Sequence, residues 1–293
     1  MANPRVPYCL STERAPLAPL KIDGQPRPLM VHVVVNVEHW PFDQPMPRKV
    51  ITPPQGIETL PDVPNFSWVD YGMRCGLPRI MQALAERNIP ASTSFNAGVI
   101  DVYPQAAEAM KAASWEFIGH GLQQQTLNAA ASGEKAVIQA CLAKIEGFTG
   151  SKPRGWLSPG LRETFDTPDL LKACGVEYVC DWTIDDLPLW MKTRHGDLLA
   201  MPYNLELNDS VIYAVEHHSS GEMYQRLADT VTTFQREMRT QPRVLALALH
   251  PHLIGVPHRI GYLHRMLDLL VRREDVVFLQ GGQIADWFIS AGG

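Results

Sequence analysis

The sequence predicts an α/β fold in which βα units surround a parallel sheet or barrel. From residue 30 onward, short apolar runs alternate with segments of helical period. The runs number eight, the strand count of a closed barrel. No internal repeat, low-complexity tract or linker divides the chain, so residues 1–293 read as a single domain. With 45% hydrophobic and 19% charged residues, a chain of this length removes about three-quarters of its unfolded surface from water on folding.

Residues 1–29 form an N-terminal extension that carries charges and prolines but no apolar run of the signal-peptide kind. The strands are expected at 30–38, 91–99, 115–121, 155–159, 176–182, 198–207, 243–250 and 276–280. Between them, Leu77, Ile80, Met81 and Leu84 recur at i, i+3, i+4 and i+7, the stripe of an amphipathic helix ending near Asn88. Thr167, Pro168 and Gly175 have the cap, first-turn proline and terminal glycine of a short helix. Ser219 and Glu222 are spaced as a capping box ahead of Met223, Leu227, Phe234 and Met238. Leu263, Met266, Leu267 and Leu270 mark the last long helix. Seven prolines in 41–65 exclude a helix or a central strand. Residues 41–69 are therefore expected to form a loop leaving the first strand's C-terminal end, as an active-site rim or lid or as a loose surface insertion.

A net charge of −5 and a pI near 6.1 give no electrostatic basis for binding nucleic acid or an anionic membrane. No stretch has the length and apolarity of a membrane span. Five cysteines without a C-x-x-C pair read as reduced thiols, and a cytoplasmic location follows as the expectation.

Chemistry-bearing residues cluster at the predicted strand tips. Glu38 and His39 end the first strand, where a buried carboxylate is expected to have a raised pKa and to act as a base, or else to form a rim ion pair or helix cap. His120 lies between two glycines and reads as a site residue or a satisfied structural histidine. Arg162 follows the Pro159-Gly160 turn, free to hold a carbonyl or carboxylate or to pair with nearby acids. Asp181 is placed to orient an imidazole or an arginine, and Trp182 to wall a pocket. His250 ends the strand at 243–250. His252 would join it on a metal only if the strand ran on through Pro251, so His250 alone is assigned to the barrel mouth. His217 and His218 read as loop residues.

In order, these tips resemble the motifs of the polysaccharide deacetylase (NodB homology) superfamily, within it the branch holding metal-independent allantoinases and cyclic imide hydrolases. The matching segments are Asn36-Val37-Glu38-His39, residues 119–125 around His120, residues 158–163 ending in Arg162 and Glu163, Asp181-Trp182, and residues 249–255 around His250. The resemblance implies a distorted (β/α) barrel as a single catalytic domain. It also implies a departure. Where sugar deacetylases hold a divalent cation on an aspartate and two histidines, this chain has His39, His120 and Gln124, and an amide is a poor zinc ligand.

The function so implied is hydrolysis of the C–N bond of small cyclic imides, with cyclic ureides as a related class, by a hydrolase that needs no cofactor. An imide carbonyl is more electrophilic than that of an acetamide, so loss of the metal is tolerable there. In this scheme Glu38 is the base and His250 the acid, His39 and His120 polarise the carbonyl or water, and Arg162 and Asp181 align the catalytic groups. Trp182, Trp68, Gln124 and Asn36 contact the substrate. The alternatives are a deacetylase using zinc on His39 and His120, and a ligand-binding module without catalysis. The branch also implies a homo-oligomer, dimer or tetramer.

Overall fold

The computed structural model describes residues 3–127 and 133–293. Its strands are β1 Leu20–Ile22, β2 Gln25–Arg27, β3 Leu29–Val37, β4 Ser92–Phe95, β5 Glu116–Gly119, β6 Gly155–Trp156, β7 Tyr178–Val179, β8 Leu189–Thr193, β9 Gly196–Ala200, β10 Arg243–Leu249 and β11 Val276–Phe278. Its helices are α1 Val63–Tyr71, α2 Leu77–Ala85, α3 Val99–Val102, α4 Pro104–Ala112, α5 Glu134–Thr149, α6 Thr167–Ala173, α7 Glu222–Glu237, α8 Pro257–Val271 and α9 Gly281–Ser290. Each of the eight expected runs overlaps a strand, with β3 starting one residue and β9 two residues before the expected bound. The order is β10-β3-β4-β5-β6-β7-β9-β8, with β11 also beside β3. All pairings in this sheet are parallel except β8 with β9.

The sheet curls into a distorted half-barrel. The run expected at 198–207 leaves strand geometry after Ala200, and the following chain lies against β10 instead. There Asn208 bridges Ala248, the Leu207 carbonyl accepts from the Ala248 N–H at 3.1 Å, and Asn204 Oδ1 accepts from the Ala246 N–H at 2.7 Å.

β3 is buried along its whole length, and its two faces do different work. Val31, Val33, Val35 and Val37 pack outward in the layer holding Leu77, Ile80 and Leu84. Met30 and Val34 point inward with Tyr178, Met201 and Tyr203. Alternation of side chains along a strand produces this split, and each buried valine contributes about 1.5–3 kcal/mol. β10 repeats the pattern, Leu245, Leu247 and Leu249 outward and Val244 and Ala248 inward.

The helices follow the apolar stripes, with three corrections. Leu77, Ile80 and Leu84 are buried on α2, and Leu263, Met266, Leu267 and Leu270 on α8. Thr167 is the first residue of α6 rather than its cap, which is Asp166. The capping box at Ser219 does not form, because α7 begins at Glu222 with Gly221 at the cap. Glu222 thus sits at the first helical position, two residues short of the one that reaches back to the cap, and its carboxylate accepts from Arg226 Nε at 2.9 Å. The proline-rich loop ends at Asp62 rather than at 69, since Asp62 caps α1 by accepting from the Asn65 N–H. Trp68 therefore belongs to a helix. A π-helical turn at Gly72–Gly76 joins α1 to α2.

Candidate active site

The C-terminal ends of β3, β5 and β10 open into a cavity of about 780 Å³ lined by Asn36, Glu38, Trp40, Arg48, His120, Gln124, Arg162, Asp181, His250 and His252, among others. The inward parity of β3 carries Asn36 and Glu38 into it. On β5, Ile118 faces inward, and His120 follows two residues on.

Glu38 is the centre of the arrangement and is buried. Its Oε2 accepts from the Trp40 indole N–H at 2.7 Å. Its Oε1 lies 3.8 Å from His120 Nε2 and 3.7 Å from His250 Nε2, charge contacts rather than hydrogen bonds. Burial alone would raise this carboxyl, as expected from the sequence. The imidazoles of His120, His250 and His252 outweigh burial and hold it down to about 2, so the expected raised pKa is corrected and Glu38 is ionised across the neutral range.

His250 rests on a buried carboxylate, Asp209. The His250 Nδ1–H donates to Asp209 Oδ1 at 2.6 Å, and Asp209 Oδ2 accepts from the backbone N–H groups of His250 at 2.7 Å and Ile254 at 3.1 Å. Burial opposes the imidazolium, but Asp209 and then Glu38 raise its pKa above the usual histidine value. His250 is therefore set as a proton donor and Glu38 as its ionised neighbour.

His120 Nδ1 faces the Leu157 carbonyl at 2.5 Å, and since a carbonyl only accepts, Nδ1 carries the hydrogen. Its Nε2 is buried without a partner among the described residues. In the neutral ring Nε2 is a lone pair, which together with Glu38 Oε1 offers two acceptors to one water molecule. Gly121 adopts φ +72° beyond it, a turn that favours glycine.

Other expected site residues are placed differently. His39 follows the odd, outward parity of β3 and does not line the cavity. It turns toward Gly98, where an added Cβ would lie 2.7 Å from His39 Nδ1, and burial lowers its pKa. The carboxamide of Asn36 is consumed by the fold: Oδ1 accepts from Ser94 Oγ at 2.7 Å and Tyr203 OH at 3.0 Å, and Nδ2 donates to the Leu249 carbonyl.

Trp182 does not line the cavity, and its indole donates to Glu163 Oε2 at 2.9 Å. Trp68 stands behind the cavity wall, edge-on to His252 with ring centroids 4.6 Å apart. The aromatic residues on the wall are Trp40 and Tyr203 instead. Arg162 is exposed and lines the rim, with no ion pair to Asp181 or any other described residue, so it does not align the catalytic groups.

Asp181 is on the cavity wall, and it pairs with Glu163 rather than with either catalytic group. Its Oδ1 accepts from the Ser158 N–H at 2.7 Å, while Asp181 Oδ2 and Glu163 Oε1 are buried without a donor among the described residues. Burial and then the charge of Asp181 push Glu163 up to about 9, and burial raises Asp181 against the hydrogen bonds it accepts, so the two carboxyls hold a proton between them at neutral pH. His217 and His218 are exposed, as expected.

Asp209, His252, Trp40 and Glu163 are not among the residues the sequence singled out for the site. His252 is buried in the turn after β10 against α1–α2, where a Cβ on Gly72 would come within 2.5 Å of its backbone N. Burial and His250 keep its imidazole neutral down to about 3.

A family model for polysaccharide deacetylase matches residues 66–179. A probable polysaccharide deacetylase from Pseudomonas aeruginosa superposes at TM-score 0.79 and 24% identity, over 92% of this chain and 95% of that one. The fold is that of the polysaccharide deacetylases. The PuuE allantoinase has the same fold, at TM-score 0.79 and 24% identity over 90% and 91% of the two chains. Among curated proteins, a putative polysaccharide deacetylase of Schizosaccharomyces pombe is 24% identical over 242 residues, 75% of this chain and 74% of the relative. A peptidoglycan deacetylase of Helicobacter pylori is 23% identical over 270 residues, 80% and 90% of the two. These similarities, with the acid–base pair described above, support a hydrolase of this general type.

The polysaccharide deacetylase resemblance implies a divalent cation, and the donors present do not fit one. His39 is not among the residues lining the cavity with His120, Gln124 offers an amide oxygen, and no group of three His, Cys, Asp or Glu side chains is arranged around a metal position among the described residues. The zinc alternative built on His39 and His120 is therefore not assembled. No helix among the described residues is long and apolar enough to cross a membrane.

Proposed function

We propose that this protein opens small cyclic imides, and cyclic ureides as a related class, to half-amides by adding water across a ring C–N bond without a metal. The observation that carries the reading is the buried Glu38–His250–Asp209 chain beside His120, an acid–base pair in a cavity where the described residues form no cation's ligand set. The shared fold of the PuuE allantoinase supports a ring amide as substrate, since allantoin is a cyclic ureide.

Water held between Glu38 Oε1 and His120 Nε2 attacks the ring carbonyl. Glu38 takes one of its protons as the C–O bond forms. When the C–N bond breaks, His250 Nε2 gives its proton to the departing nitrogen, which leaves as the amide end of the product. Asp209 holds the imidazolium in place for that transfer, as the carboxylate of a hydrolase triad does. Glu38 is a weak base at its lowered pKa, so the scheme requires an electrophilic carbonyl, and an imide supplies one. His39 has no part in it.

A homo-oligomer belongs to the same proposal, supported by the exposed Phe42, Val50, Ile51, Ile57 and Leu60 on the proline-rich segment. The second reading, an N-acyl deacetylase, is favoured by the names of the curated relatives. Chelator-treated, metal-analysed protein assayed on succinimide, a dihydropyrimidine and N-acetylglucosamine oligomers separates the two. Imide opening that survives chelation is the expected result; activity confined to the sugar and restored by zinc would replace the first reading by the second.

A further inference from the structure

Carboxamides around the cavity differ in what they have left to offer. Those of Asn36 and Asn96 are bonded at both ends, Asn96 accepting from the His39 N–H at 2.9 Å and donating to the His120 carbonyl. Gln124 is held by its backbone N–H, which donates to the His39 carbonyl at 2.9 Å. Its side chain lines the cavity beside His120 and Glu38. There Oε1 is buried without a donor among the described residues, and Nε2 makes no hydrogen bond to any of them. A buried acceptor left unmatched is uncommon and points to a partner from outside the protein.

The chemistry of a primary carboxamide says which partner. Its N–H and C=O lie side by side and pair with a group that also presents a donor and an acceptor on one edge. A small ring forces its amide into the cis arrangement, so a cyclic imide shows N–H and C=O on the same edge. An open-chain secondary amide is trans, with N–H and C=O pointing opposite ways, and can use only one end of the glutamine.

Building on the reading of the site as an imide-opening centre, we propose that Gln124 selects ring amides by pairing with the N–H and the unattacked carbonyl of the substrate. Its Oε1 accepts from the ring N–H and its Nε2 donates to the carbonyl. The other carbonyl is thereby presented to Glu38, His120 and His250. The position that departs from the cation-binding pattern becomes the element that separates cyclic imides from N-acetyl groups.

The test compares wild type with Gln124→Met on succinimide, using 2-pyrrolidinone and N-methyl-2-pyrrolidinone as competitive inhibitors. The lactam has the cis edge; its N-methyl derivative has lost the donor. For the variant, kcat/KM on succinimide is expected to fall about 10²-fold or more, as sites built to hydrogen-bond a substrate do when the partner is lost. The inhibition constant of 2-pyrrolidinone is expected to rise about tenfold, while that of the N-methyl compound stays within about threefold. Circular dichroism and Tm matching wild type show that the variant folds. An active wild type in which the variant moves both inhibitors equally, or neither, overturns the role of Gln124 alone. A wild type that opens no imide overturns the function and this role together.

Discussion

Replacing Asp209 by asparagine keeps the shape of the site and removes the charge beneath His250. Two unit charges 2.6 Å apart attract by about 6 kcal/mol at an effective dielectric near 20. That attraction is what overcomes the burial of the imidazolium, because Glu38 at 3.7 Å is farther away and is shared with His120. With Asp209→Asn the balance passes to burial, and His250 becomes neutral through the physiological range. Loss of the general acid is expected to lower kcat at pH 7 by about 10²–10⁴-fold. The alkaline limb of the pH–rate profile, expected above the ordinary histidine value in the wild type because His250 is raised, should move to lower pH.

Stability responds with a definite sign. A folded-state pKa above the unfolded value stabilises the fold below pH 6.5, and this contribution fades as pH rises through the folded value. The variant should lose stability more at pH 5.5 than at pH 8.5. Steady-state kinetics on succinimide from pH 5 to 10, with urea unfolding at the two pH values, read both effects. An unmoved alkaline limb together with kcat within about threefold of wild type would refute the pairing as the source of the acid.

Glu38→Gln is expected to cost at least about two orders of magnitude in kcat with the fold retained; near-normal turnover would remove Glu38 from the base role. Glu38 itself should set no acid limb near the ordinary carboxylate value, because it is held at about 2, and an inflection near 4.5 that Glu38→Gln abolishes would contradict this. His39→Ala should leave kcat/KM within about threefold of wild type, since its ring is outside the cavity, whereas a large loss would restore it to the site. Glu163 has a folded pKa near 9 against an ordinary 4.5, so its contribution to stability declines from pH 4.5 to 9. Glu163→Gln should flatten that decline in a Tm-against-pH series, and an unchanged slope would show that the carboxyls do not share a proton.

The strands and most of the helices were legible because their signal is local. The period of two in β3 and the stripe on α8 need no knowledge of the rest of the chain. The same alternation already distinguished Glu38 from His39. With Val31, Val33, Val35 and Val37 on one face, an even position turns inward and an odd one outward, and reading both tips as site residues overlooked that parity. The β1–β2 hairpin was overlooked in reading residues 1–29 as an extension, although Asp23-Gly24 stands between its two short strands. Asp209 carried no such mark. It reaches His250 only because the chain after β9 folds against β10, a tertiary placement with no period to betray it. Arg162 failed for a related reason: two adjacent acids, Glu163 and Asp181, satisfied each other through a proton and left the guanidinium at the rim.

The proline-rich segment contributes Trp40, Pro41, Gln44, Pro45, Pro47 and Arg48 to the cavity wall. The side chain of Asn65 fastens it, accepting from the N–H groups of Val50 and Ile51 and donating to the Ile51 carbonyl. Proline restricts the unfolded chain, so holding this wall in one shape costs less conformational entropy than an equally long flexible loop would. Much of the ordering that a flexible lid would undergo at each encounter is therefore completed once, during folding. Selection by size then falls to a standing aperture, so discrimination against bulky rings should be expressed in the encounter rate rather than in a closing step after binding.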